Sequence, residues 1–436
     1  MKKQINIVGT SHLALVVASG FLDRGFEVKL FSDEVEHVDK LNQLIFPIYE
    51  PNMKDIFQVG FNEKRLFIKE LKENVFDHTD LIYLAEDVTK TKEGADLTNF
   101  FSLIKKITSI KKTSFHLIIS TQLPVGTSQK LISLFETERN ESNKIHLVHV
   151  PEFLRLGTAI DVYLSKDYLH IIGCENSEST RICENIFSYF PGKTYRLSLA
   201  EAEMAKHIAN TYTATTVSFI SEIIKVSELL SINLKPVTDV IRNDKRIGPK
   251  SYLSPGLGFS GGNLTRDLLV IKQTLEEGGE ASPFFDMVLK VNDYHNDIVL
   301  RRLDSVFKIY NDLKIAFLGI TYKSLTDTLK GSLTIRLGKK LIQKGALVYA
   351  YDPLVSKNED FTFQSVNITS TIEKCIKDAD CIVVMIHKSE FNSLNASLIA
   401  KSVKQKIILD AINYFNPEEF INEGFKYSGV GIGILF

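Results

Sequence analysis

The sequence predicts an α/β protein: two doubly wound domains, one at each end, joined by a long-helix central domain. Three observations carry this. The first is a distant internal echo. Gln4-Ile5-Asn6-Ile7-Val8-Gly9 reads as a buried strand ending in a glycine turn; a helical stretch then leads through Asp23-Arg24-Gly25 into a strand ending at Ser32-Asp33. Lys314-Ile315-Ala316-Phe317-Leu318-Gly319 repeats the pattern, with Gln343-Lys344-Gly345 leading to Tyr351-Asp352. Each is a strand–turn–helix–glycine–strand unit, the opening of a Rossmann-like sheet. The second is a set of continuous apolar runs: 81–84, 115–119, 147–150, 381–385 and 407–410. Such runs between helical stretches suit parallel strands covered on both faces. The third is the absence of glycine and proline from Leu199 to Leu234, where Met204, Ile208, Ile220, Ile223, Ile224 and Leu230 recur at helical spacing. A helix of that length spans roughly 50 Å, enough to bridge two domains and pack on a partner subunit. The expected boundaries are 1–198, 199–305 and 306–436.

Taken in order, the first turn reads Gly9-Thr10-Ser11-His12-Leu13-Ala14. A dinucleotide turn asks for Gly-x-Gly-x-x-Gly/Ala, because the missing side chains let pyrophosphate approach the backbone. Gly9 and Ala14 fit; Ser11 stands in the second glycine's place. An acid should end the second strand to hold the ribose hydroxyls, and Ser32 and Asp33 are found there. The candidate cofactor contacts are thus Gly9, Ser11, His12, Leu13, Ser32 and Asp33, with NAD as the expected cofactor. Glu152 follows a strand end, where catalytic groups of parallel sheets gather, or else it is a helix N-terminal acid. Glu203, Lys206 and Asn210 share one face of the long helix, which by itself reads first as a solvated polar stripe. The loop Ser254-Pro255-Gly256-Leu257-Gly258-Phe259-Ser260-Gly261-Gly262 is too glycine-dense to be filler, and Asp267 beyond it reads as a functional acid or a helix cap.

Composition narrows the class. At 436 residues the chain exceeds what one core serves, and 44% apolar with 24% charged residues is ordinary for a globular protein. With 52 Lys+Arg against 53 Asp+Glu, the net charge of −1 argues against nucleic-acid binding. No apolar run approaches the ~20 residues of a membrane span. Met1-Lys2-Lys3 before an apolar stretch is signal-like, but Thr10, Ser11 and His12 interrupt it and charge returns at Asp23 and Arg24. The four cysteines, Cys174, Cys183, Cys375 and Cys381, form neither a disulfide framework nor a metal knuckle, so no metal and a reducing, cytoplasmic compartment are expected.

Together these segments resemble the UDP-glucose/GDP-mannose dehydrogenase family from end to end. The resemblance rests on Pro47-Ile48-Tyr49-Glu50-Pro51, Ser120-Thr121-Gln122-Leu123-Pro124-Val125-Gly126-Thr127, Pro151-Glu152-Phe153-Leu154-Arg155 and Ala200–Lys206. Asp244-Lys245-Arg246-Ile247-Gly248, the glycine loop and Gly319-Ile320-Thr321-Tyr322-Lys323 follow in the family's order. The Pro47–Pro51 segment is nearer to the family's UDP-glucose 6-dehydrogenases than to the GDP-mannose enzymes. The resemblance implies an N-terminal NAD domain, a central domain that forms a homodimer and a C-terminal domain for a UDP-sugar. It also implies two successive oxidations of the sugar 6-hydroxyl. Residue by residue, it gives Lys206 and Asn210 the developing oxyanion. Asp267 with Thr121 handles a water and a proton, and Glu152 serves hydrolysis of an acyl intermediate. Thr121 and Glu152 also border the cofactor. Arg155, Lys206, Arg246, Tyr252, Gly258 and Lys323 face the substrate, Arg246 from across the dimer.

The departures matter as much. The family's catalytic cysteine lies in Gly-Phe-Gly-Gly-Ser-Cys-Phe-Pro-Lys-Asp; here the segment is Gly258-Phe259-Ser260-Gly261-Gly262-Asn263-Leu264-Thr265-Arg266-Asp267. Asn263 cannot form the thiohemiacetal that the second oxidation needs, because the thiolate is the nucleophile. The family's Val-x-Thr-Pro is Glu86-Asp87-Val88-Thr89, its Asp-x-Arg-Asn is Asp410-Ala411-Ile412-Asn413, and Lys330 replaces an arginine. Two functions follow: a dehydrogenase limited to two-electron alcohol–carbonyl chemistry, or a non-redox nucleotide-sugar-binding protein or dimer partner of an active dehydrogenase.

Overall fold

The structure, a computed structural model, describes residues 3–436 except 74, 77, 78, 92, 93, 139–142, 357, 358 and 435, and except the side chains of Thr89 and Lys90. Met1 and Lys2, which begin the signal-like segment, and the side chain of Thr89 in the altered Val-x-Thr-Pro motif therefore lie outside the described residues. The chain folds as two compact units, residues 1–210 with 269–273 and residues 211–268 with 274–436.

In the first unit, β1 (Gln4–Val8), β2 (Glu27–Ser32), β3 (Leu66–Glu70), β4 (Leu81–Leu84), β5 (Phe115–Ile119), β6 (Ile145–His149), β7 (Leu169–Gly173) and β8 (Lys193–Leu197) form one sheet in the order 8-7-6-5-4-1-2-3. Strands β1 to β6 pair in parallel; β7 runs antiparallel to β6, and β8 extends the edge parallel to β7. Ile5, Ile7, Tyr83 and Ile118 pack into one apolar cluster, and Val8, Ile82, Leu84, Leu117 and Ile119 into another. The alternation puts a core on each face, as the unbroken apolar runs require. The strand order reverses between β1 and β4, which opens a crevice at their carboxyl ends.

In the second unit, β9 (Lys314–Leu318), β10 (Leu347–Tyr351), β11 (Phe361–Phe363), β12 (Val366–Ile368), β13 (Cys381–Val384), β14 (Ile407–Asp410) and β15 (Lys426–Gly429) order as 11-12-10-9-13-14-15. All neighbours are parallel except β11 with β12. The echo in the sequence is therefore a real repeat of the doubly wound plan, with the reversal here between β9 and β13. Among the described residues no helix is long and apolar enough to cross a membrane.

The long helix runs from Leu199 to Leu229 and ends short of the expected Leu234. The chain turns at Ser231, whose φ is 54°, and Asn233 caps a new helix, Leu234–Ile241, by accepting from the Lys235 amide at 3.0 Å. Glu203 corrects the solvated-stripe reading. It is buried and accepts from the amides of Gly126 at 2.6 Å and Ser128 at 2.8 Å, so it caps the helix Thr127–Glu138. Glu203→Ala is expected to lower unfolding stability by about 2 kcal/mol, and Glu203→Gln by less because an acceptor remains. Equal urea midpoints for the alanine variant and the wild type would contradict the capping role.

Candidate active site

The first unit builds its site at the crevice between β1 and β4. Gly9 stands at φ 125°, and a Cβ there would lie 2.1 Å from the Ala85 carbonyl oxygen, so only glycine lets the turn pass this close to the end of β4. The helix His12–Asp23 then starts with Ser11 as its N-cap, which leaves the first-turn amides without partners inside the helix. That is the backbone shape a pyrophosphate needs. Its amides, however, are already engaged by the chain's own carboxylates. The Thr10 amide donates to Glu86 Oε2 at 3.2 Å and the Leu13 amide to Asp87 Oδ2 at 3.4 Å, while the Asp87 amide donates to Ser11 Oγ at 3.0 Å. Burial and the adjacent charge of Asp87 raise the Glu86 carboxyl from 4.5 to about 7, against the pull of the turn amides.

The other cofactor candidates divide. Ser32 is buried, its Oγ accepting from the Glu34 amide at 3.1 Å and lying 3.3 Å from the Thr10 hydroxyl, which in turn meets His37 Nδ1 at 3.1 Å. Asp33, one residue on, is half-buried. His12 is drawn to Glu50 at 2.8 Å, and Glu50 also accepts from the amides of Gly157 and Ala159, tying the Pro47–Pro51 segment down. Thr121 is fully buried, and its hydroxyl accepts from the Glu86 amide at 3.1 Å.

Glu152 is not a helix-start acid. It is buried beyond β6, where it accepts from Tyr83 at 2.8 Å, from Ser120 at 3.4 Å and from Tyr168. Burial raises its carboxyl from 4.5 to about 7, although the three hydroxyl donors and the charge of Lys206 favour the ionised form. The Lys206 ammonium lies 5.0 Å from the centre of the Phe153 ring, so the long helix and the Pro151–Arg155 segment meet here. Asn210, one turn along, is half-buried, and Arg155 is exposed. Between about pH 4.5 and 7 the folded chain keeps a proton on Glu152 that the unfolded chain has released. The stability this gives is complete below 4.5 and is lost as pH rises through 7. Glu152→Gln is therefore expected to gain on the wild type by up to about 3 kcal/mol between about pH 5 and pH 9. Urea melts at the two pH values check this, and a constant difference would contradict it.

The second unit carries the glycine loop. Helix Pro283–Asn296 clamps it: Asn292 Oδ1 accepts from the Phe259 amide and its Nδ2 donates to the Phe259 carbonyl, both at 2.8 Å. Asn296 Nδ2 donates to that same carbonyl at 2.9 Å, and His295 Nε2 donates to the Gly256 carbonyl at 2.7 Å. A Cβ at Gly258 would meet Asn292 Oδ1 at 2.4 Å, so the clamp needs glycine there. Asn292→Ala leaves the Phe259 amide without its acceptor and the Phe259 carbonyl with Asn296 as its donor. It is expected to cost about 2–3 kcal/mol and to speed amide exchange across 256–261.

Helix Gly262–Glu277 follows, with Gly261 as N-cap, so Asn263 sits exposed in the first turn. Asp267 lies in the second turn and is not the cap; it is fully buried and accepts from Arg266 Nε at 3.0 Å. Lys323 is exposed beside the Tyr322 ring, 5.4 Å from its centre. Tyr252 is exposed, and Arg246 is exposed and held by Asp244 at 2.6 Å. Cys375 and Cys381 are buried in this unit's cores and their thiols are pushed up by burial, Cys375 to about 12. In the first unit burial likewise pushes up Cys183, and Cys174 meets Thr180 Oγ1 at 2.7 Å. Within the second unit, neither thiol has the low-pKa setting of a nucleophile. Among the described residues no cluster of His, Cys, Asp and Glu could hold a metal.

Sequence reasoning passed over several residues that shape these sites. Tyr83 and Tyr168 hold Glu152; Asn292, His295 and Asn296 hold the loop. Their signal was absent because each acts on a partner distant in the chain. Asp352 was noted only as the end of a strand, yet its Oδ2 accepts from the amides of Ile320 and Thr321 and from the Thr321 hydroxyl. Lys388 completes that site, 3.0 Å from Asp352 Oδ1.

Comparison with known proteins agrees with this layout. Three domain profiles of the UDP-glucose/GDP-mannose dehydrogenase family match in order: the NAD binding domain at residues 3–191, the central domain at 200–294 and the UDP binding domain at 316–417. A UDP-glucose 6-dehydrogenase of Rickettsia bellii is 28% identical, covering 98% of this chain and 99% of its own. The UDP-glucose 6-dehydrogenase TuaD of Bacillus subtilis is 26% identical over 98% of this chain and 93% of its own. Among solved structures, a UDP-glucose dehydrogenase from Pyrobaculum islandicum shares the fold with a TM-score of 0.86 at 21% identity, covering 99% of this chain and 98% of its own.

Proposed function

The chain belongs to the UDP-glucose/GDP-mannose dehydrogenase family, homologous to NAD-dependent dehydrogenases that act on CH–OH groups, and from that premise we propose that it oxidises a UDP-sugar by two electrons, alcohol to carbonyl, and stops there. The observation that carries this is Asn263, exposed in the first turn of its helix at the position where the resemblance would put a thiol, with the second unit's two cysteines buried in its cores. Removing hydride from an alcohol needs no thiol; forming an acyl intermediate does.

We take residues 1–198 as the NAD domain, 199–305 as a dimerising centre and 306–436 as the nucleotide-sugar domain. Gly9, Ser11, His12, Leu13, Ser32 and Asp33 would hold the cofactor once the turn amides are free. Bound NAD supplies the hydride acceptor. Lys206 brings a cation and Asn210 an amide to the developing alkoxide. Thr121 and Asp267 carry the proton-handling roles that the resemblance gives them, and Glu152, whose value lies near 7, can take or give a proton at neutral pH. Arg155, Arg246, Tyr252, Gly258 and Lys323 are the proposed substrate contacts. Incubation with UDP-hexoses and NAD tests the reading: one NADH per sugar and a carbonyl product support it, and two NADH with a uronate overturn it.

A second reading, a non-redox nucleotide-sugar-binding protein or dimer partner of an active dehydrogenase, is favoured by the carboxylates on the turn amides. Binding of UDP-sugar without NADH formation, in a sample that stays folded, would select it.

A further inference from the structure

We propose that Glu86 and Asp87 set the cofactor affinity of this chain: their carboxylates occupy the amides of the first turn as built-in substitutes for a pyrophosphate, and a dinucleotide binds only by displacing them. This rests on the NAD-binding assignment above and deepens it. Three observations support it. The Thr10 and Leu13 amides, one before and one inside the helix His12–Asp23, are donors of the kind that anions seek at a helix start, and both point at these carboxylates. The arrangement is fastened from the opposite side too, by the Asp87 amide on Ser11 Oγ and the Glu86 amide on Thr121 Oγ1. Ser11, standing where a glycine would leave room, is thus part of the latch.

The third observation is the contrast with the second unit. There Asp352 likewise closes the turn after the first strand, taking the Ile320 and Thr321 amides. That carboxylate is neutralised by buried Lys388, whose side chain is 3% exposed. Glu86 has no such counter-charge: among the described residues neither it nor Asp87 pairs with a lysine or arginine, and the charges facing Glu86 are those of Asp87 and Glu34. His37 reaches the same turn through the Thr10 hydroxyl and pairs with Glu34 at 3.3 Å. The second unit's closure is permanent; the first is held by hydrogen bonds against like-charge repulsion, which makes it displaceable.

A sign for the pH dependence follows. Glu86, raised to about 7, loses its charge as the medium is acidified below neutrality. It then repels a pyrophosphate less and competes less for the Thr10 amide, so NAD should bind the wild type more tightly at about pH 6 than at pH 8.

The test is calorimetric titration of NAD into the wild type, Glu86→Gln and the double variant Glu86→Gln/Asp87→Asn, with exposed Glu136→Gln, near the C-terminal end of the helix Thr127–Glu138, as a control that removes a charge elsewhere. Circular dichroism melts establish that all are folded. The double variant is expected to bind at least about tenfold tighter at pH 8, with a flattened pH dependence, and the control to match the wild type. Equal NAD affinity in wild type and double variant overturns the inference alone. Failure of every folded variant to bind NAD overturns it together with the cofactor assignment. Tighter NAD binding without turnover of any UDP-hexose supports the inference while removing the dehydrogenase reading.

Discussion

Asn263→Cys is expected to change the product, from one NADH and a carbonyl sugar to two NADH and a uronate. The position is exposed in the first turn of the helix Gly262–Glu277, where unsatisfied amides and the helix dipole stabilise an anion. A thiol placed there ionises below the ordinary value near 8.5, and its thiolate can add to the aldehyde carbonyl that a carboxamide cannot attack. Two measurements decide. The pH profile of iodoacetamide alkylation should have its midpoint below that of a free thiol. NADH stoichiometry and the mass of the sugar product should double and shift together. An acidic thiol with a single NADH would show that more than the nucleophile has been lost. An ordinary thiol would mean that this helix start is not the anion site proposed.

Lys388→Met is expected to destabilise the second unit by about 3–5 kcal/mol, because it strands a buried carboxylate. Lys388 Nζ reaches Asp352 Oδ1 at 3.0 Å and donates to the Ser324 carbonyl at 2.7 Å, with both charged side chains almost fully buried. Asp352 cannot retreat to solvent. Its other oxygen is fixed by two amides and a hydroxyl of residues 320–321, and the Leu354 amide donates to Oδ1 at 3.1 Å. Asp352→Asn in the Lys388→Met background should recover part of the loss, since the residual cost is that of an unpaired charge. Urea denaturation of the single and double variants measures this coupling. A double variant no better than the single would place the loss in packing.

Much of the fold was legible in the sequence. The strands found from apolar runs, Leu81–Leu84, Phe115–Ile119 and Ile407–Asp410, lie in the sheet interiors, where both faces are covered and nearly every residue must be apolar. The strands that were not found lie toward the edges. Lys193-Thr194-Tyr195-Arg196-Leu197 is exposed along most of its length, and Phe361–Phe363 and Val366–Ile368 have three residues each. Edge pairing is held by backbone hydrogen bonds, which leave little trace in side-chain chemistry.

For the candidate site, what the sequence by itself determined was the inventory: a glycine turn after β1, a glycine loop before a helix, Lys206 and Asn210 one turn apart, and an amide where a thiol was expected. Those are local facts, set by residue type and spacing along a few turns of chain. Only the tertiary structure decided their state. Residues 86 and 87 were visible as a departure from a motif, but that they lie on the amides of residues 10 and 13 depends on strands far apart in the chain meeting side by side. Glu152 was visible as an acid at a strand end; its near-neutral value comes from burial among Tyr83, Ser120 and Tyr168. A carboxylate's charge is governed by its solvent and its neighbours in space, and a linear sequence specifies neither until the sheet has closed around it.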